Sequence, residues 1–552
     1  MLPLPLKIII TIFSLNSLVS AKINENIKWE RFKFEDNDAF ILMPKKHSEL
    51  NIPWVFYAPT LRGLPNERDE GWMINNFLGA GIAVAGIDVG ESYGNIEGRN
   101  LYSKFHNFLT QRKKFNPKAC LLARSRGGLM LYNWAANNPK KVKCIAGIYP
   151  VCNLRSYPGL ERAAPAYKMS ANELANSLSE NNPINRLQNL AKADVPIFHI
   201  HGNVDTVVPL KSNSGIIAKR YQRFGGNMHL VVPKGQGHNM WEGFFKCDEL
   251  VNFVINCAKG NTLLPPKAKL LWKGGEFTEG PSVSSDGSVY FSDVGANSIY
   301  KYNPKTTKVT NIRSSSGRAN GIIFDHMERL IACEGANTEG GRRISITKKD
   351  GSIITLTDNW KGKRLNSPND LAINKKNKLI YFTDPRYVGN EERELDFEGI
   401  FMVDLNGKTS LATKDIKKPN GILVSEDGKT IFVADHEIIP NGSRKLLSFS
   451  IEPNGELSNK KVLHDFEEER GIDGMALSPN GDIYATAGSG KHAGIYVFSH
   501  EGDLLRFIPI PGDPTNCTFG RGKNQWTLYV TAQSPRDGET RTYALYELDL
   551  IE

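Results

Sequence analysis

The chain has 552 residues, with 69 Lys and Arg against 59 Asp and Glu for a formal charge of +10; that length suits two large domains or three to four ordinary ones. Hydrophobic content of 40% and charged content of 23% are globular values, and the 50 Gly and 29 Pro are dispersed, which excludes wholesale disorder and collagen-like repeats. The densest basic runs, Arg112-Lys113-Lys114 and Lys140-Lys141 with Lys143, are too short for a nucleic-acid-binding stripe and read as solvated faces.

Residues 1–21 read as a secretory signal peptide. Lys7 precedes an apolar run from Ile8 through Phe13 and Leu15, closed by Val19-Ser20-Ala21, the order of a charged, a hydrophobic and a small-residue cleavage region. The run is too short and too interrupted for a membrane span, which needs about 20 apolar residues. A periplasmic or secreted protein is expected, with a retained interfacial anchor as the alternative. The seven cysteines are too sparse for a disulfide framework, though Cys144 and Cys152 are spaced for a short loop closure.

From Trp54 to Cys257 short apolar runs alternate with helix-period stretches. The runs are Trp54–Ala58, Ile82–Ile87, Ala119–Ala123, Cys144–Tyr149, Pro196–His201 and Met228–Val232. Continuous apolar strands separated by helices predict a doubly wound parallel sheet over residues 28–258, with chemistry beyond the carboxyl ends of its strands. At one such end stands Ala123-Arg124-Ser125-Arg126-Gly127-Gly128, followed at once by a helical pattern. A nucleophile on a strand-to-helix turn needs small neighbours two positions either side, and Ala123 and Gly127 supply them. Asp205 lies just past a strand, 80 residues on, and His238 past the last strand, 33 further. Serine needs a base, and imidazole needs a carboxylate to fix its tautomer. The order Ser125, Asp205, His238 therefore predicts nucleophilic ester chemistry. His199 and His201 share a strand face, but no carboxylate pair accompanies them for metal binding.

This segment resembles the α/β-hydrolase superfamily, in its prolyl-oligopeptidase-like and carbohydrate-esterase branches. The resemblance implies an acyl-enzyme on Ser125, with the Arg126 backbone N–H as one oxyanion donor and a second from the Thr60-Leu61-Arg62-Gly63 loop. The Ser-Arg pair also resembles glucuronoyl esterases. Arg124 and Arg126, with Arg62, suit an anionic or sugar-acid ester; surface solubility is the alternative.

A linker is placed at 259–266, around Gly260-Asn261 and Pro265-Pro266. Beyond it, over 267–552, short strands alternate with Asp-Gly and Asn-Gly turns. Strands such as Val289–Asp293, Ile380–Asp384 and Ile431–Asp435 repeat one another. A second element recurs at Glu279-Gly280, Asn320-Gly321, Asn369-Asp370, Asn420-Gly421, Asp473-Gly474 and Asn516-Cys517, at intervals of 41 to 53 residues. Six such repeats predict an all-β propeller of six blades, which brings one position per blade to a common axis. All six lead residues carry oxygen and none is basic. Two carboxylates with amide oxygens form a hard shell suited to Ca²⁺; Asx-turns at strand starts are the alternative.

The second half resembles the SMP-30/gluconolactonase/LRE family over its length, through Glu279-Gly280-Pro281, Asn366-Ser367-Pro368-Asn369-Asp370, Thr383-Asp384-Pro385-Arg386-Tyr387, Pro419-Asn420-Gly421 and Asp473-Gly474-Met475. The resemblance implies lactone hydrolysis. It implies metal ligands at Glu279, Asn420 and Asp473, with Asn369 on metal or substrate. It adds Asn320 and Arg386 on the substrate side and Asp473 for activating water. Ser367 stands where some members carry arginine. The expectation is an exported two-domain hydrolase of carbohydrate derivatives, a serine esterase joined to a Ca²⁺-dependent sugar lactonase. A lactonase with an inactive hydrolase module, or an esterase with a binding propeller, are the alternatives.

Overall fold

The computed structural model describes residues 29–260, 268–534 and 541–550. The expected signal segment and residues 261–266 of the expected linker lie outside them.

The first half is built on strands β1 (Trp29–Phe34), β2 (Asn37–Leu42), β3 (Trp54–Ala58), β4 (Ala83–Ile87), β5 (Ala119–Arg124), β6 (Val142–Ile148), β7 (Ile197–Ile200) and β8 (Met228–Val231), in the order β1-β2-β4-β3-β5-β6-β7-β8. From β4 to β8 every neighbouring pair is parallel. Parallel neighbours need crossovers, which here are helices including α1 (Glu67–Gly79), α2 (Ile96–Arg112) and α3 (Gly127–Asn137). Period two along β3 divides the core: Trp54 and Phe56 pack with Tyr102, Phe105 and Trp134 on one face, and Val55 and Tyr57 pack with Met73, Phe77 and Val254 on the other. Burial on both faces is why these strands are continuously apolar. This is an α/β-hydrolase-like arrangement. The seven cysteines are all unpaired, so the Cys144–Cys152 closure does not form.

The second half is propeller-like, made of four-stranded antiparallel sheets. Five stand as separate sheets, with innermost strands Thr278–Val283, Ala319–Phe324, Leu371–Ile373, Pro419–Val424 and Pro514–Phe519. The sheet of Pro514–Phe519 is completed by Lys269–Gly275, so the beginning of this half pairs with its end. The expected count of six separate blades is corrected to five. Four further strands, Met475–Leu477, Ile483–Ala487, Gly494–Phe498 and Leu504–Pro509, belong to one twelve-stranded sheet with β1–β8. Arg506 pairs with His229 of β8, antiparallel, and extends the hydrolase sheet into the propeller. The free edge of a sheet is a template for pairing, and here one bridge, between Arg506 and His229, joins the two edges. Beside the seam Gln222 Nε2 donates to Tyr496 Oη at 2.7 Å. Among the described residues no helix is long and apolar enough to cross a membrane.

Candidate functional site

β5 ends at Arg124 and α3 begins at Gly127, leaving Ser125 and Arg126 to make the turn. Ser125 has φ of 48°, a left-handed conformation that costs a non-glycine residue energy and is retained where geometry demands it. Its N–H donates to the Ile148 carbonyl at 3.0 Å, and its own carbonyl accepts from Val151 at 2.7 Å, which ties the turn to the end of β6. A Cβ on Gly127 would lie 2.1 Å from the Ala58 carbonyl oxygen; only glycine lets α3 start so close to β3.

Asp205 and His238 sit in the loops after β7 and β8, and the sheet order brings them to Ser125. Ser125 Oγ donates to His238 Nε2 at 2.9 Å, and His238 Nδ1 donates to Asp205 Oδ2 at 2.8 Å. The Val207 and Val208 N–H groups donate to Asp205 Oδ1 at 3.0 and 2.7 Å. Burial pushes the Asp205 carboxyl up, but hydrogen bonds from His201, His238 and Val208 outweigh it and hold the group well below the usual carboxylate range. The Tyr149 ring packs 4.4 Å from the imidazole of His238. This arrangement can generate a serine nucleophile. His199 and His201 are buried in a network with Tyr132, Ser214 and the Val208 carbonyl, which occupies their ring nitrogens.

The flanking arginines do not reach into open space above Ser125. Arg124 is turned into the layer of α1, where its Nη1 pairs with Glu70 Oε1 at 3.1 Å; the two side chains are 11% and 2% exposed. Its guanidinium lies 4.9 Å over the Phe245 ring. The expected substrate role of Arg124 is corrected accordingly: its charge is spent inside the fold. Arg126 pairs through its side chain with Glu91, while its backbone N–H stands at the start of α3, where helical N–H groups lack intrahelical partners. Arg62 is exposed on the turn after β3. Glu70 and Glu91 escape sequence reasoning because each is an ordinary helix or loop acid whose partner is distant in the chain.

At the propeller axis the strands touch in succession. The Gly321 N–H donates to the Asn369 carbonyl, Gly421 to Asp473 and Gly474 to Thr515, at 2.7, 2.8 and 2.8 Å. Asn420 Nδ2 donates to Asp473 Oδ1 at 2.9 Å and to Tyr387 Oη at 3.2 Å. Glu279 is buried, and burial together with the facing Asp473 pushes its carboxyl well up. Asn516 lies against Gly474, where an added Cβ would meet its amide oxygen at 2.1 Å. Glu279, Asn420, Asp473 and Asn516 thus converge. Asn320 and Asn369 join this ring through their backbones, and among the described residues no hydrogen bond links their side chains to Asp473.

Two further residues matter here. Arg470 Nη2 donates to Asp473 Oδ2 at 2.5 Å, a counter-charge three residues upstream that the motif reading missed. Arg386 donates to the Asn366 carbonyl at 3.1 and 2.8 Å and pairs with Glu391. Its side chain is 7% exposed, so the expected substrate-side role of Arg386 is corrected to a clamp within its own blade. Ser367 Oγ accepts from the Ala336 N–H at 2.8 Å. Among the described residues no three His, Cys, Asp or Glu side chains form a metal-holding group. The donor set is instead the carboxylates of Glu279 and Asp473 with amides, and a further buried carboxyl, Asp370, bonds to Asn516 and lies close enough to act on both acids; it holds no nitrogen or sulfur ligand. That chemistry fits a hard divalent cation better than a transition metal.

Comparison with known proteins divides the chain in the same way. Residues 277–534 match the SMP-30/Gluconolactonase/LRE-like region and residues 104–258 match the prolyl oligopeptidase family. The two matches follow one another along the chain, the gluconolactonase-like stretch after the prolyl-oligopeptidase-like one. A gluconolactonase of Zymomonas mobilis is 29% identical over 285 residues, 47% of this chain and 76% of that protein. A lactonase of Staphylococcus epidermidis is 26% identical over 277 residues, 48% of this chain and 79% of that one. A solved gluconolactonase of Xanthomonas campestris is 26% identical, covering 51% of this chain and 89% of its own, with a TM-score of 0.44.

Proposed function

We propose that the chain is an exported hydrolase of carbohydrate derivatives with two ester-cleaving centres, a serine esterase at Ser125 and a metal-dependent sugar lactonase at the propeller axis. The observation that carries the esterase is the unbroken relay Ser125–His238–Asp205, at 2.9 and 2.8 Å. Ser125 Oγ attacks the ester carbonyl carbon while its proton passes to His238 Nε2. Asp205 keeps Nδ1 protonated and stabilises the imidazolium. The carbonyl oxygen gains charge at the start of α3, where the Arg126 N–H and the helix dipole favour it. Collapse breaks the carbon–oxygen bond, and the alcohol leaves with the proton from His238. Water, deprotonated by His238, then adds to the acyl-enzyme; the acid departs and Ser125 regains its proton.

At the axis, Glu279, Asn420 and Asp473 would hold Ca²⁺ or a similar hard cation, with Asn369 on the metal or substrate side as the resemblance implies. Bound there, such an ion supplies positive charge to a polarised lactone carbonyl. Asp473 takes the proton of the attacking water, and Asn420 and Arg470 orient its two oxygens. The names of the Zymomonas and Staphylococcus relatives support lactone chemistry. A second reading, an active esterase carrying a binding propeller, draws on the Arg470–Asp473 pair, which engages the proposed base. Export rests on the Lys7–Ala21 pattern and is read by sequencing the mature N-terminus.

The test is a panel of esters and sugar lactones on the full chain, with Ser125→Ala, Asp473→Ala and a chelator. Esterase activity should vanish only in Ser125→Ala, and lactonase activity only in Asp473→Ala or chelator. Esterase activity that survives Ser125→Ala would overturn the first assignment, and lactonase activity that persists without metal the second.

A further inference from the structure

Building on the esterase reading, we infer that the Ser125 centre selects esters of bulky apolar alcohols and rejects those whose alcohol part carries a carboxylate. Both arginines beside the nucleophile are already neutralised, Arg124 by Glu70 and Arg126 by Glu91. A carboxylate entering the cleft would have to displace one of these acids. The rim offers something else. Of the eight exposed large apolar side chains described in residues 29–260, four lie within three positions of Asp205 or His238: Val204, Val207, Met240 and Trp241, at 53%, 48%, 43% and 41% exposure.

Three of these are connected to the relay, Met240 and Trp241 through their side chains. The Val207 N–H donates to Asp205 Oδ1. Met240 Sδ lies 4.0 Å from Tyr149 Oη, and the Tyr149 ring covers His238. Trp241 packs edge-on against Phe244 at 5.3 Å, and Phe244 in turn against Tyr149 at 4.9 Å. Scattered single apolar residues on a surface mean little, but a cluster at the mouth of a site marks an apolar ligand. Its side of the site follows from the chemistry: His238 protonates the leaving alcohol, so Met240 and Trp241, which reach the imidazole through Tyr149 and Phe244, face the alcohol part. Trp241 supplies a flat face for an aryl or branched alkyl group.

The experiment uses the full chain with three acetates that share one acyl group: benzyl, 4-carboxybenzyl and ethyl acetate. Benzyl acetate should be hydrolysed with kcat/KM at least about tenfold above 4-carboxybenzyl acetate, whose alcohol is nearly isosteric, on the scale of a lost apolar contact plus carboxylate desolvation. Trp241→Ser should cut the benzyl-to-ethyl ratio about tenfold, with Met240→Ser as a second variant beside Tyr149; thermal unfolding checks that both fold. Equal rates for the neutral and charged benzyl esters, a preference for the charged one, or unchanged ratios in both variants would overturn the inference. Labelling of Ser125 by a fluorophosphonate with none of the acetates hydrolysed would overturn it while leaving the serine centre standing. No labelling and no hydrolysis would take down both.

Discussion

Replacing Asp205 with Asn isolates what the carboxylate does, because the surrounding hydrogen bonds dictate how the amide must sit. Oδ1 accepts two backbone N–H groups, from Val207 and Val208 at 3.0 and 2.7 Å, so the amide oxygen of Asn is held at that position. Its NH₂ group must then occupy the place of Oδ2 and face His238 Nδ1 at about 2.8 Å. Two donors cannot share that contact, so His238 moves its proton to Nε2, the nitrogen that must accept from Ser125. The base is present but in the wrong tautomer. Loss of about 10³–10⁴-fold in acylation rate is expected, equivalent to ~4–5.5 kcal/mol at ~1.4 kcal/mol per decade. Because both backbone donors keep their acceptor, the fold should survive. Stopped-flow acylation by an activated acyl ester reads the rate, and urea unfolding reads the stability. A variant that keeps more than a tenth of the wild-type rate would refute the relay, and one that fails to fold would refute the isosteric argument.

The buried Arg124–Glu70 pair should behave as a coupled unit: Glu70→Leu alone strands a buried guanidinium at a cost of ~3–5 kcal/mol, while Glu70→Leu with Arg124→Met should recover most of it. Additive losses in chemical denaturation would contradict that coupling. Removing Arg470 by R470A frees Asp473 Oδ2 and one positive charge, so calorimetric Ca²⁺ affinity should rise on the order of tenfold or more; unchanged affinity would show that Arg470 does not oppose the ion. His199 is fully buried, and burial, reinforced by His201, holds its imidazole well below the ordinary value. Its stabilisation is therefore complete above the unfolded value near 6.5. It is lost as pH falls, because the unfolded chain binds a proton that the folded chain refuses, at a slope of up to ~1.4 kcal/mol per pH unit. Urea midpoints between pH 7.5 and 5.5 should fall less in His199→Phe than in wild type; equal slopes would dismiss the residue.

Cys120, Cys144 and Cys257 share one buried apolar face of the hydrolase sheet. Burial pushes the Cys144 thiol well above its ordinary value. All three behave as small hydrophobes, which is why an irregular cysteine spacing carries no cross-link here.

The sequence by itself was enough for every feature written in local code. Alternating apolar runs and helix periods encode the parallel sheet, and Asp-Gly and Asn-Gly turns encode the antiparallel ladders. The stretch from Ala123 to Gly128 encodes a turn that only small neighbours permit. Ser125, Asp205 and His238 could be singled out because each follows a strand in a parallel sheet, whose carboxyl ends lie on one edge. What the tertiary structure alone decided depends on partners far apart in the chain. Arg124 is next to the nucleophile in sequence, yet Glu70, 54 residues upstream, draws it into the covering layer. Arg386 sits within a family motif, yet its guanidinium finds the Asn366 carbonyl and Glu391. The repeat spacing predicted six blades and could not reveal that four of their strands continue the hydrolase sheet at Arg506 and His229. Periodicity tells a strand which face to bury, but says nothing of which edge it will meet: backbone N–H and C=O groups are the same in every strand, and the pairing is set by the packing of whole layers.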